Sequence, residues 1–542
     1  MLSAALRRRA GALLLGAVLY SLGHTPGPWG LLMWFALVPF LRMLERLGPV
    51  RAFLWSWAFG TLSWLIGFRW FLDTIETYLV FSPIESAMSY LAICLYSGLL
   101  LAGVGGAAAA MSGALADFLR CSRRTAAACV FVPAMICAEA YFPLYNPLPA
   151  AHTQFYHLPL LQLLEVFGTA GLAWLLYGAN ACLYVGLFSD RAARYRWTGL
   201  KIAVALLLLN ECYGLVRIRQ VDAWAARRMR EGFALRVAVI QGSLPREQVE
   251  KPESFASNLA VYNELTRSVL ARGPVDLVVW PQAAYERTLT FERSDYARRR
   301  PRVDGRPLEE ALRLDLSFSA PAILSGTSIL QGDETRPRRM YYSAFLTDSQ
   351  RRYQGMVGKY YLTPFSEYVP LGAYFPFLRR FSRPGMEPLS RGPRTLLFHE
   401  NGARLGVYIC YEEFVARHAA WYARDRAQLL IALSSDAWLG PGLGPTHHLT
   451  GSRLRAIENR KYLLRAVTTG ISAVVEPTGR LRRTLGMDVR GALVETVATM
   501  DMRTPHAFAG EAFYHLGALL LLLINLLPFA ARRRARRVCP SC

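Results

Sequence analysis

The sequence predicts a polytopic α-helical membrane domain combined with one α/β domain, and two observations lead to this fold class. The 542 residues are 53% hydrophobic and have a mean hydropathy of +0.21, which is too apolar for a wholly soluble protein. Apolar stretches are concentrated near the two ends, whereas residues 218–512 alternate short β-rich runs with helical stretches. We therefore expect a membrane domain at 1–217, an α/β domain at 218–512, and a C-terminal span with a basic tail at 513–542.

Eight apolar segments have the length that a helix needs to cross a bilayer. Seven of them precede the α/β domain and one follows it. They lie at about 10–24, 28–43, 52–72, 88–113, 125–141, 159–188, 199–216 and 513–531.

The positions of the arginines predict the orientation of these spans, because cytoplasmic connections are enriched in Lys and Arg. The connections at 24–27, 74–87 and 142–158 carry neither residue. The connections that alternate with them are basic, with Arg7–Arg9, Arg42, Arg46, Arg51, Arg120, Arg123, Arg124, Arg191, Arg194, Arg196, Lys201 and Arg532–Arg537. This pattern predicts that both termini are cytoplasmic and that residues 218–512 lie on the opposite side.

The formal net charge of +23 does not predict nucleic-acid binding, because much of the arginine belongs to these membrane-flanking clusters. His447 and His448 with Asp436 do not predict a metal site either, since adjacent side chains point in different directions and no second ligand pair supports them. We therefore expect no nucleic-acid partner and no metal ion.

Cys410 is the one cysteine between residues 218 and 512. It ends the β-like run Leu-Gly-Val-Tyr-Ile-Cys and has no local partner for a disulfide. Such a cysteine is either a small buried apolar residue or a nucleophile, and a nucleophilic thiol must first ionise. The other residues of the predicted site, which are described next, favour the nucleophile.

Lys359 is conspicuous because the chain contains only 4 lysines against 58 arginines. It lies just before the segment Pro364–Gly392, which is rich in aromatic side chains and is called the aromatic loop here. An ammonium group is a compact charge that suits the stabilisation of an oxyanion, and it lowers the pKa of a neighbouring thiol. The alternative is that Lys359 survives by chance, as Lys461 does without such a setting.

A general base is expected at the strand end Val-Val-Trp-Pro-Gln-Ala-Ala, because the thiol and the later acceptor must each lose a proton. The residue found there is Gln282, and an amide takes no proton at useful pH. Loss of a general base lowers a rate by roughly 10²–10⁴.

Two loops interrupt the α/β pattern. The segment Pro364–Gly392 mixes aromatic side chains with Arg379, Arg380 and Arg383, which is typical of a membrane interface. It is either a lid that lies on the bilayer or a long ordinary loop with buried aromatic side chains. The glycine- and proline-rich segment Leu439–Thr446 is predicted to be a flexible loop.

Three motifs together resemble the Glu-Lys-Cys site of the nitrilase superfamily. They are Trp280-Pro281-x-Ala283-Ala284, Lys359 with Pro364-Phe365-x-Glu367-Tyr368-Val369-Pro370, and Cys410-Tyr411-Glu412. With eight spans around the α/β domain, nearly the full length resembles the apolipoprotein N-acyltransferases, the membrane-embedded branch of that superfamily. Gln282 stands at the position of the family's catalytic glutamate.

The resemblance implies an α-β-β-α sandwich for residues 218–512, a periplasmic position for this domain, and a bacterial inner membrane location. It also implies a two-step acyl transfer that uses no cofactor. A cysteine takes an acyl chain from a phospholipid, typically phosphatidylethanolamine, and forms a thioester. The acyl chain then passes to the α-amino group of the diacylglyceryl-cysteine of an apolipoprotein.

The family's site residues can be carried onto this sequence one by one. Cys410 is the implied nucleophile, and Lys359 is the implied oxyanion-stabilising group. The implied supporting and pocket-lining residues are Glu367, Glu412, Tyr411 and Trp438.

Gln282 leaves three interpretations open. Another carboxylate acts as the base, with Glu286, Glu367 and Glu412 as candidates; the chain is a catalytically impaired relative; or the glutamine was introduced as a replacement that preserves shape. Two other functions therefore compete with acyl transfer. One is a membrane scaffold that binds lipid or lipoprotein, and the other is a membrane-tethered amidase in which water accepts the acyl group.

Overall fold

The computed structural model describes most of the chain. The described residues are 4–79, 81–145, 147–188, 197–249, 251–291, 301–330, 338–382, 387–393, 397–440 and 442–538. Arg191, Arg194, Arg196 and Arg383, which the sequence analysis used, lie outside this set.

The chain divides into two compact units, which are named here by their secondary structure. The helical unit comprises Met1–Ile75, Phe81–Val216 and Ala509–Cys542. The α/β unit comprises Glu76–Val80 and Arg217–Phe508.

The described residues from Ala4 to Arg230 are mainly helical. Two 3₁₀ segments, Pro28–Trp34 and Ala150–Gln154, interrupt the α-helices. The α-helices are α1 Ala4–His24, α2 Val38–Met43, α3 Pro49–Gly67, α4 Trp70–Leu79, α5 Pro83–Leu119, α6 Arg123–Tyr141, α7 Leu158–Leu161, α8 Leu164–Phe188 and α9 Thr198–Arg230.

Five of the described helices are long and apolar enough to cross a membrane by length and composition, namely Pro83–Leu119, Arg123–Tyr141, Leu164–Phe188, Thr198–Arg230 and Ala512–Ala530. The other three predicted spans also form helix, but α1 carries Arg7–Arg9 and the span at 28–43 is divided between a 3₁₀ segment and the short α2. The predicted class, a polytopic helical membrane domain, is confirmed. The count of eight spans stays a prediction.

Small residues allow α3 to pack closely against α5. A Cβ atom placed on Gly60 in α3 would lie 2.9 Å from the Gly98 Cα in α5. Close backbone approach at small residues is a common basis of helix association within membranes, where no hydrophobic force drives helices together. A larger residue at either glycine would separate α3 from α5.

The α/β unit contains two β-sheets. The strands are β1 Ala234–Gln241, β2 Leu277–Val279, β3 Leu289–Phe291, β4 Arg302–Val303, β5 Arg306–Pro307, β6 Ala322–Leu330, β7 Arg339–Thr347, β8 Tyr353–Gly358, β9 Leu397–Glu400, β10 Ala403–Ile409, β11 Leu429–Ser434, β12 Leu463–Val467, β13 Ser472–Val475, β14 Leu481–Leu485 and β15 Gly491–Ala498. The first sheet has the order β15-β1-β2-β6-β3-β4-β5, with β7 paired to β6 and β8 paired to β7. The second sheet has the order β14-β13-β12-β11-β10-β9.

Helices accompany both sheets. They are α10 Arg246–Val249, α11 Phe255–Leu270, α12 Leu308–Asp315, α13 Ala416–Arg424, α14 Gly444–Asn459 and α15 Pro505–Ala509, and the chain ends with α16 Ala512–Val538. One apolar core lies between the sheets and includes Val237, Leu277, Val407 and Ile431. A second core joins the outer face of the first sheet to α11 and α12, while Tyr422 of α13 donates from its hydroxyl to the Val407 carbonyl on the second sheet. The unit is therefore an α-β-β-α sandwich, as the resemblance implied.

Strand direction brings several loops to one end of this sandwich. In the first sheet β1, β2 and β6 are parallel, and β8 shares their direction because β7 is antiparallel to both β6 and β8. In the second sheet β10, β11 and β12 are parallel. The Thr468 hydroxyl, just after β12, donates to the Gln282 carbonyl after β2 at 2.7 Å, so the carboxyl ends of both sets of strands meet.

Two predicted elements need correction. The strand expected to end in the run Val-Val-Trp-Pro is confined to Leu277–Val279, because the chain turns after Trp280. The loop expected at Leu439–Thr446 is wrong at its end, since α14 already begins at Gly444.

Candidate active site

Cys410 occupies a sharp turn at the carboxyl end of β10. It is the first residue of a 3₁₀ turn, Cys410–Phe414, that directly follows the strand. Its φ is +55°, in the left-handed region where a side chain costs of order 1–3 kcal/mol. The thiol residue is 5% exposed, so the surrounding structure holds a nucleophile candidate in a strained and sheltered position.

The Cys410 thiol is poorly ionised in this position. Burial raises its pKa to about 11, Lys359 opposes that shift, and the carboxylates of Glu367, Glu413 and Asp436 add to it. At neutral pH the thiol therefore keeps its proton for nearly all of the time. A nucleophilic role needs either a base or a positive group that favours the thiolate.

Lys359 supplies the positive group. It follows β8 directly and is fully buried. Its Nζ donates to Glu367 Oε1 at 2.6 Å and to the Thr363 hydroxyl at 3.2 Å. Burial alone would lower the Lys359 pKa, but the Glu367 carboxylate raises it above the ordinary lysine value. The ammonium group is therefore charged over the whole physiological pH range.

Glu367 is held on the same loop as Lys359. Its second carboxylate oxygen, Oε2, accepts from the Thr363 backbone N–H at 2.8 Å. The Glu367 backbone N–H donates in turn to the Thr363 carbonyl at 2.9 Å. These bonds fold the loop back on itself, so the carboxylate and the ammonium have a fixed geometry.

Glu412 connects the cysteine turn to the lysine loop. Its Oε1 accepts from the backbone N–H groups of Tyr360 and Tyr361 at 2.7 and 3.0 Å. Its Oε2 accepts from the Ile409 N–H at 2.8 Å. A buried carboxylate that accepts three such hydrogen bonds has a structural role. Here these bonds hold the turn that begins at Cys410 against the loop that begins at Lys359.

Two aromatic residues flank this arrangement. Tyr411 is close enough to Tyr368 and Lys359 for both to influence its hydroxyl, whose pKa burial raises to about 12. Trp438 lies in a 3₁₀ turn, Ala437–Leu439, after β11 and packs half-buried against the core between the sheets.

Gln282 lies in the turn after β2, at the end of the sandwich where the loops converge. Its side chain is 8% exposed, and its Oε1 is buried without a hydrogen-bond partner among the described residues. The next residue, Ala283, has a φ of +57°. The Gln282 amide thus occupies the strand end where the sequence pattern predicted a general base. The amide oxygen accepts no hydrogen bond from the described residues.

Glu286 belongs to a separate cluster. Its Oε1 accepts from Asn258 Nδ2 at 2.8 Å, and Gln248 Nε2 donates to Asn258 Oδ1 at 2.8 Å. Burial raises the Glu286 pKa. The structure therefore gives Glu286 a partner of its own, unlike Glu367, which interacts with both Lys359 and Cys410.

Sequence reasoning missed a buried charge network behind Cys410. Arg465 Nε donates to Glu413 Oε2 at 2.8 Å and a terminal Arg465 nitrogen donates to Asp436 at 3.1 Å. Asp436 Oδ1 lies 2.7 Å from His448 Nδ1, and His448 Nε2 lies 3.4 Å from the Cys410 carbonyl oxygen. The network thus runs from β12 to the backbone of the cysteine.

A signal for this network was present in the sequence. Arg465 stands in the middle of the apolar strand Leu463–Val467, and a buried arginine needs carboxylate partners. Burial would raise the Asp436 pKa, but Arg465 and His448 hold it below the ordinary value.

Part of the aromatic loop is exposed. Leu371, Tyr374, Phe375 and Phe377 are among the large apolar side chains that face outward, and Tyr374 is 79% exposed. For these residues the interpretation as an ordinary loop with buried aromatics is wrong. An apolar cluster of this kind marks a binding or membrane-contacting surface.

Comparison with known proteins shows which protein families the chain resembles. The family profile described as Carbon-nitrogen hydrolase matches residues 236–504, and the one described as Apolipoprotein N-acyltransferase N-terminal domain matches residues 16–182. Among solved structures, Nit3 of Saccharomyces cerevisiae, described as a member of branch 10 of the nitrilase superfamily, is similar with a TM-score of 0.36 and 18% identity, covering 49% of this chain and 90% of that one.

Three relatives named Apolipoprotein N-acyltransferase are similar over much of the chain. The protein of Geobacter metallireducens is 29% identical over 67% of this chain and 64% of its own length. That of Pseudomonas syringae pv. tomato is 27% identical over 95% of each chain. That of Azotobacter vinelandii is 30% identical over 92% of this chain and 90% of its own length. With both parts of the architecture matched, the chain belongs to the apolipoprotein N-acyltransferase family.

Proposed function

We propose that the protein is an acyltransferase that moves a fatty acyl chain from a phospholipid, through a thioester on Cys410, to the α-amino group of the diacylglyceryl-cysteine of an apolipoprotein. The observation that carries the proposal is the pairing of a strained, buried thiol with a buried ammonium group that Glu367 keeps charged. The names of the relatives supply the acceptor class. We assign phosphatidylethanolamine as the donor.

In the first step the Cys410 sulfur attacks the ester carbonyl of the donor. A C–S bond forms, the C–O bond breaks, and the lysophospholipid leaves with the proton that the thiol has lost. The carbonyl oxygen becomes negative in the tetrahedral intermediate, and the Lys359 ammonium stabilises it. Because Lys359 is buried and its charge is fixed by Glu367, no reorganisation is needed when that charge develops.

In the second step the lipoprotein amine attacks the thioester. A C–N bond forms, the C–S bond breaks, and the proton that the amine nitrogen gives up returns to the Cys410 sulfur. The same ammonium group serves the second oxyanion. Both steps therefore depend on Lys359 and on a group that accepts a proton.

Most of the candidate groups at this site are unable to accept a proton. Gln282 cannot accept one, Glu412 is bound by three backbone N–H groups, and Glu286 is bound to Asn258. Glu367 is the remaining candidate, and its carboxylate is already paired with Lys359. We expect a slow enzyme whose thioester persists after it forms.

The substrates explain the membrane domain. A nucleophile held at the bilayer surface meets lipid chains without extracting them into water, which makes the encounter effectively local. We propose that the α/β unit is periplasmic, that both termini are cytoplasmic, and that the exposed apolar side chains of the aromatic loop contact lipid near the site. Arg379 and Arg380 on that loop suit anionic head groups.

The test is a product assay on the purified full chain. Phosphatidylethanolamine labelled in its acyl chain is supplied with a synthetic diacylated lipopeptide, and Cys410→Ser serves as the control. Labelled triacylated lipopeptide from the native chain alone supports the proposal. Labelled free fatty acid without lipopeptide product indicates the amidase-like function, and lipopeptide binding without any acylated protein indicates the scaffold.

A further inference from the structure

The helical unit contains a small cavity that the proposed chemistry does not use. Its volume is about 40 Å³, whereas one water needs about 10–15 Å³ on the same measure. The cavity walls combine aromatic rings with one carboxylate, and the residues that matter below are Tyr20, Trp64, Phe68, Glu139 and Tyr177. It has room for a charged group with an adjoining methylene, but not for a whole lipid.

This cavity lies at one end of the helical unit. Tyr20 is near the end of α1, Trp64 near the end of α3, and Glu139 near the end of α6. These three helices run in the same direction through the membrane in the predicted topology. On that topology their ends face the outer leaflet, where head groups are available.

Glu139 is only half satisfied. Its Oε1 accepts from the Tyr177 hydroxyl and, at 2.7 Å, from the Ala150 backbone N–H. Its Oε2 is buried and has no hydrogen-bond partner among the described residues. A carboxylate oxygen within a membrane domain is costly to leave in this state, and such groups mark functional positions.

The residues that line the cavity favour a cation over an anion as the partner of Glu139 Oε2. The described residues that line the cavity include neither Lys nor Arg. His24 also lines it, with its Nδ1 3.0 Å from the Tyr20 carbonyl oxygen, so the one carboxylate faces no permanent positive charge. Aromatic faces attract cations, and an aromatic cage with a carboxylate is a recurrent way of binding ammonium groups. Trp64 and Phe68 stack with their ring centroids 3.9 Å apart, which gives the cavity a rigid aromatic wall.

We propose that this cavity is a second binding site, separate from Cys410, that takes the ammonium group of an aminophospholipid head group or of a free primary amine. The ammonium donates to Glu139 Oε2 while the rings of Tyr20, Trp64 and Phe68 surround its methylene. A lipid held there has its phosphate and chains outside the cavity.

Native mass spectrometry of the delipidated full chain tests the proposal. The chain is titrated with phosphatidylethanolamine and with phosphatidylglycerol of identical acyl chains. A charge-assisted hydrogen bond of about 1.5–3 kcal/mol corresponds to a preference of at least about tenfold for the amino lipid. We expect Glu139→Gln to remove this preference.

Glu165→Gln is the matched control. Glu165 is a buried carboxylate of the same helical unit whose Oε1 accepts from the Tyr213 hydroxyl. This variant makes the same chemical change away from the cavity and keeps the preference. A preference that survives in Glu139→Gln, or is absent from the native chain, overturns the lipid site.

A second measurement needs no variant and covers the case in which Glu139→Gln does not fold. An apolar carbodiimide labels buried carboxyl groups, and peptide mapping reads its adduct on Glu139. Ethanolamine at ten times its Kd should reduce the total modification of Glu139, counted as carbodiimide adduct plus ethanolamide, about tenfold, whereas neutral ethylene glycol should not. Protection by ethanolamine without any lipid preference assigns the site to free amines, and absence of protection refutes the ammonium site. Neither readout depends on acyl transfer at Cys410.

Discussion

Lys359 and Lys461 are both buried in the α/β unit, yet their surroundings give them opposite character. Lys359 Nζ contacts the Glu367 carboxylate at 2.6 Å, and its pKa is raised despite burial. Lys461 Nζ donates to the carbonyl oxygens of Met500 and Met502 at 2.7 and 2.6 Å. Burial lowers the Lys461 pKa to about 7.

The difference shows that contact with a carboxylate, not burial, decides whether a lysine can do electrostatic chemistry. Carbonyl dipoles satisfy the hydrogen bonds of Lys461 but do not offset the desolvation of its charge. The Glu367 carboxylate does offset it at Lys359. A permanently charged ammonium beside a thiol suits an oxyanion, whereas a lysine that is neutral for half of the time at pH 7 does not.

The largest expected effect comes from Gln282→Glu, which adds a carboxylate at the Lys359 end of the sandwich and nothing near Lys461. Restoring a general base should raise the rate of lipopeptide acylation by roughly 10²–10⁴. The measurement is the initial rate of triacylated product from labelled phospholipid. Gln282→Met, which adds no base, is the control. An unchanged rate in Gln282→Glu would show that another carboxylate already accepts the proton.

The second effect separates the two lysines directly. Lys359→Met should lower the rate of Cys410 acylation by roughly 10²–10³, the usual cost of losing an oxyanion-stabilising group. Lys461→Met removes an equally buried lysine and should leave that rate unchanged. Because Lys359→Met strands a buried carboxylate, the double variant Lys359→Met/Glu367→Gln removes both charges and distinguishes lost chemistry from lost folding. Equal losses in the two single variants would contradict the comparison.

The third prediction concerns a variant in which the pKa of Lys359 should approach that of Lys461. Glu367→Gln removes the carboxylate that raises the Lys359 pKa, so burial should lower that pKa towards neutrality. Loss of a charge-assisted hydrogen bond of about 1.5–3 kcal/mol corresponds to a rate loss of about 10- to 150-fold. The loss should grow as the pH rises, because the lysine then becomes neutral. A pH profile of Cys410 acylation that keeps the native shape would count against this account.

The smallest effect concerns stability at Lys461. Its folded-state pKa of about 7 lies below the ordinary lysine value of 10.5, so the unfolded chain binds more protons between these values. The free energy of unfolding should therefore rise with pH in that window, by up to about 1.4 kcal/mol per pH unit. Thermal unfolding in detergent at pH 7 to 9 measures it. Lys461→Met should lack this increment, and an identical pH dependence in both proteins would remove the assigned cause.

The motifs in the sequence predicted the central group of the candidate site because each is a local pattern. Cys410, Lys359 and Glu367 lie within short runs of recognisable residues, and strand ends bring those runs together. The sandwich was implied by the same resemblance. The structure adds the physical reason for Glu412, whose three backbone contacts tie two loops that are distant in sequence.

The sequence could not identify pairings between distant segments. Glu413 and Arg465 lie 52 positions apart, and a carboxylate directly beside Glu412 looks redundant until the buried arginine is seen. The fate of Glu286 was also hidden, because its partner Asn258 comes from α11, 28 positions away. Glu139 was overlooked for a different reason: one acid near the end of an apolar span looks like a residue at the membrane surface.

The most direct test of the central claim is the intact mass of the full chain after incubation with labelled phosphatidylethanolamine and no acceptor. The account predicts slow addition of one acyl chain, located by peptide mapping on Cys410, released by neutral hydroxylamine, and absent from Cys410→Ser. Undiminished acyl transfer by Cys410→Ser, or a native chain that carries its acyl group on another residue, would contradict it.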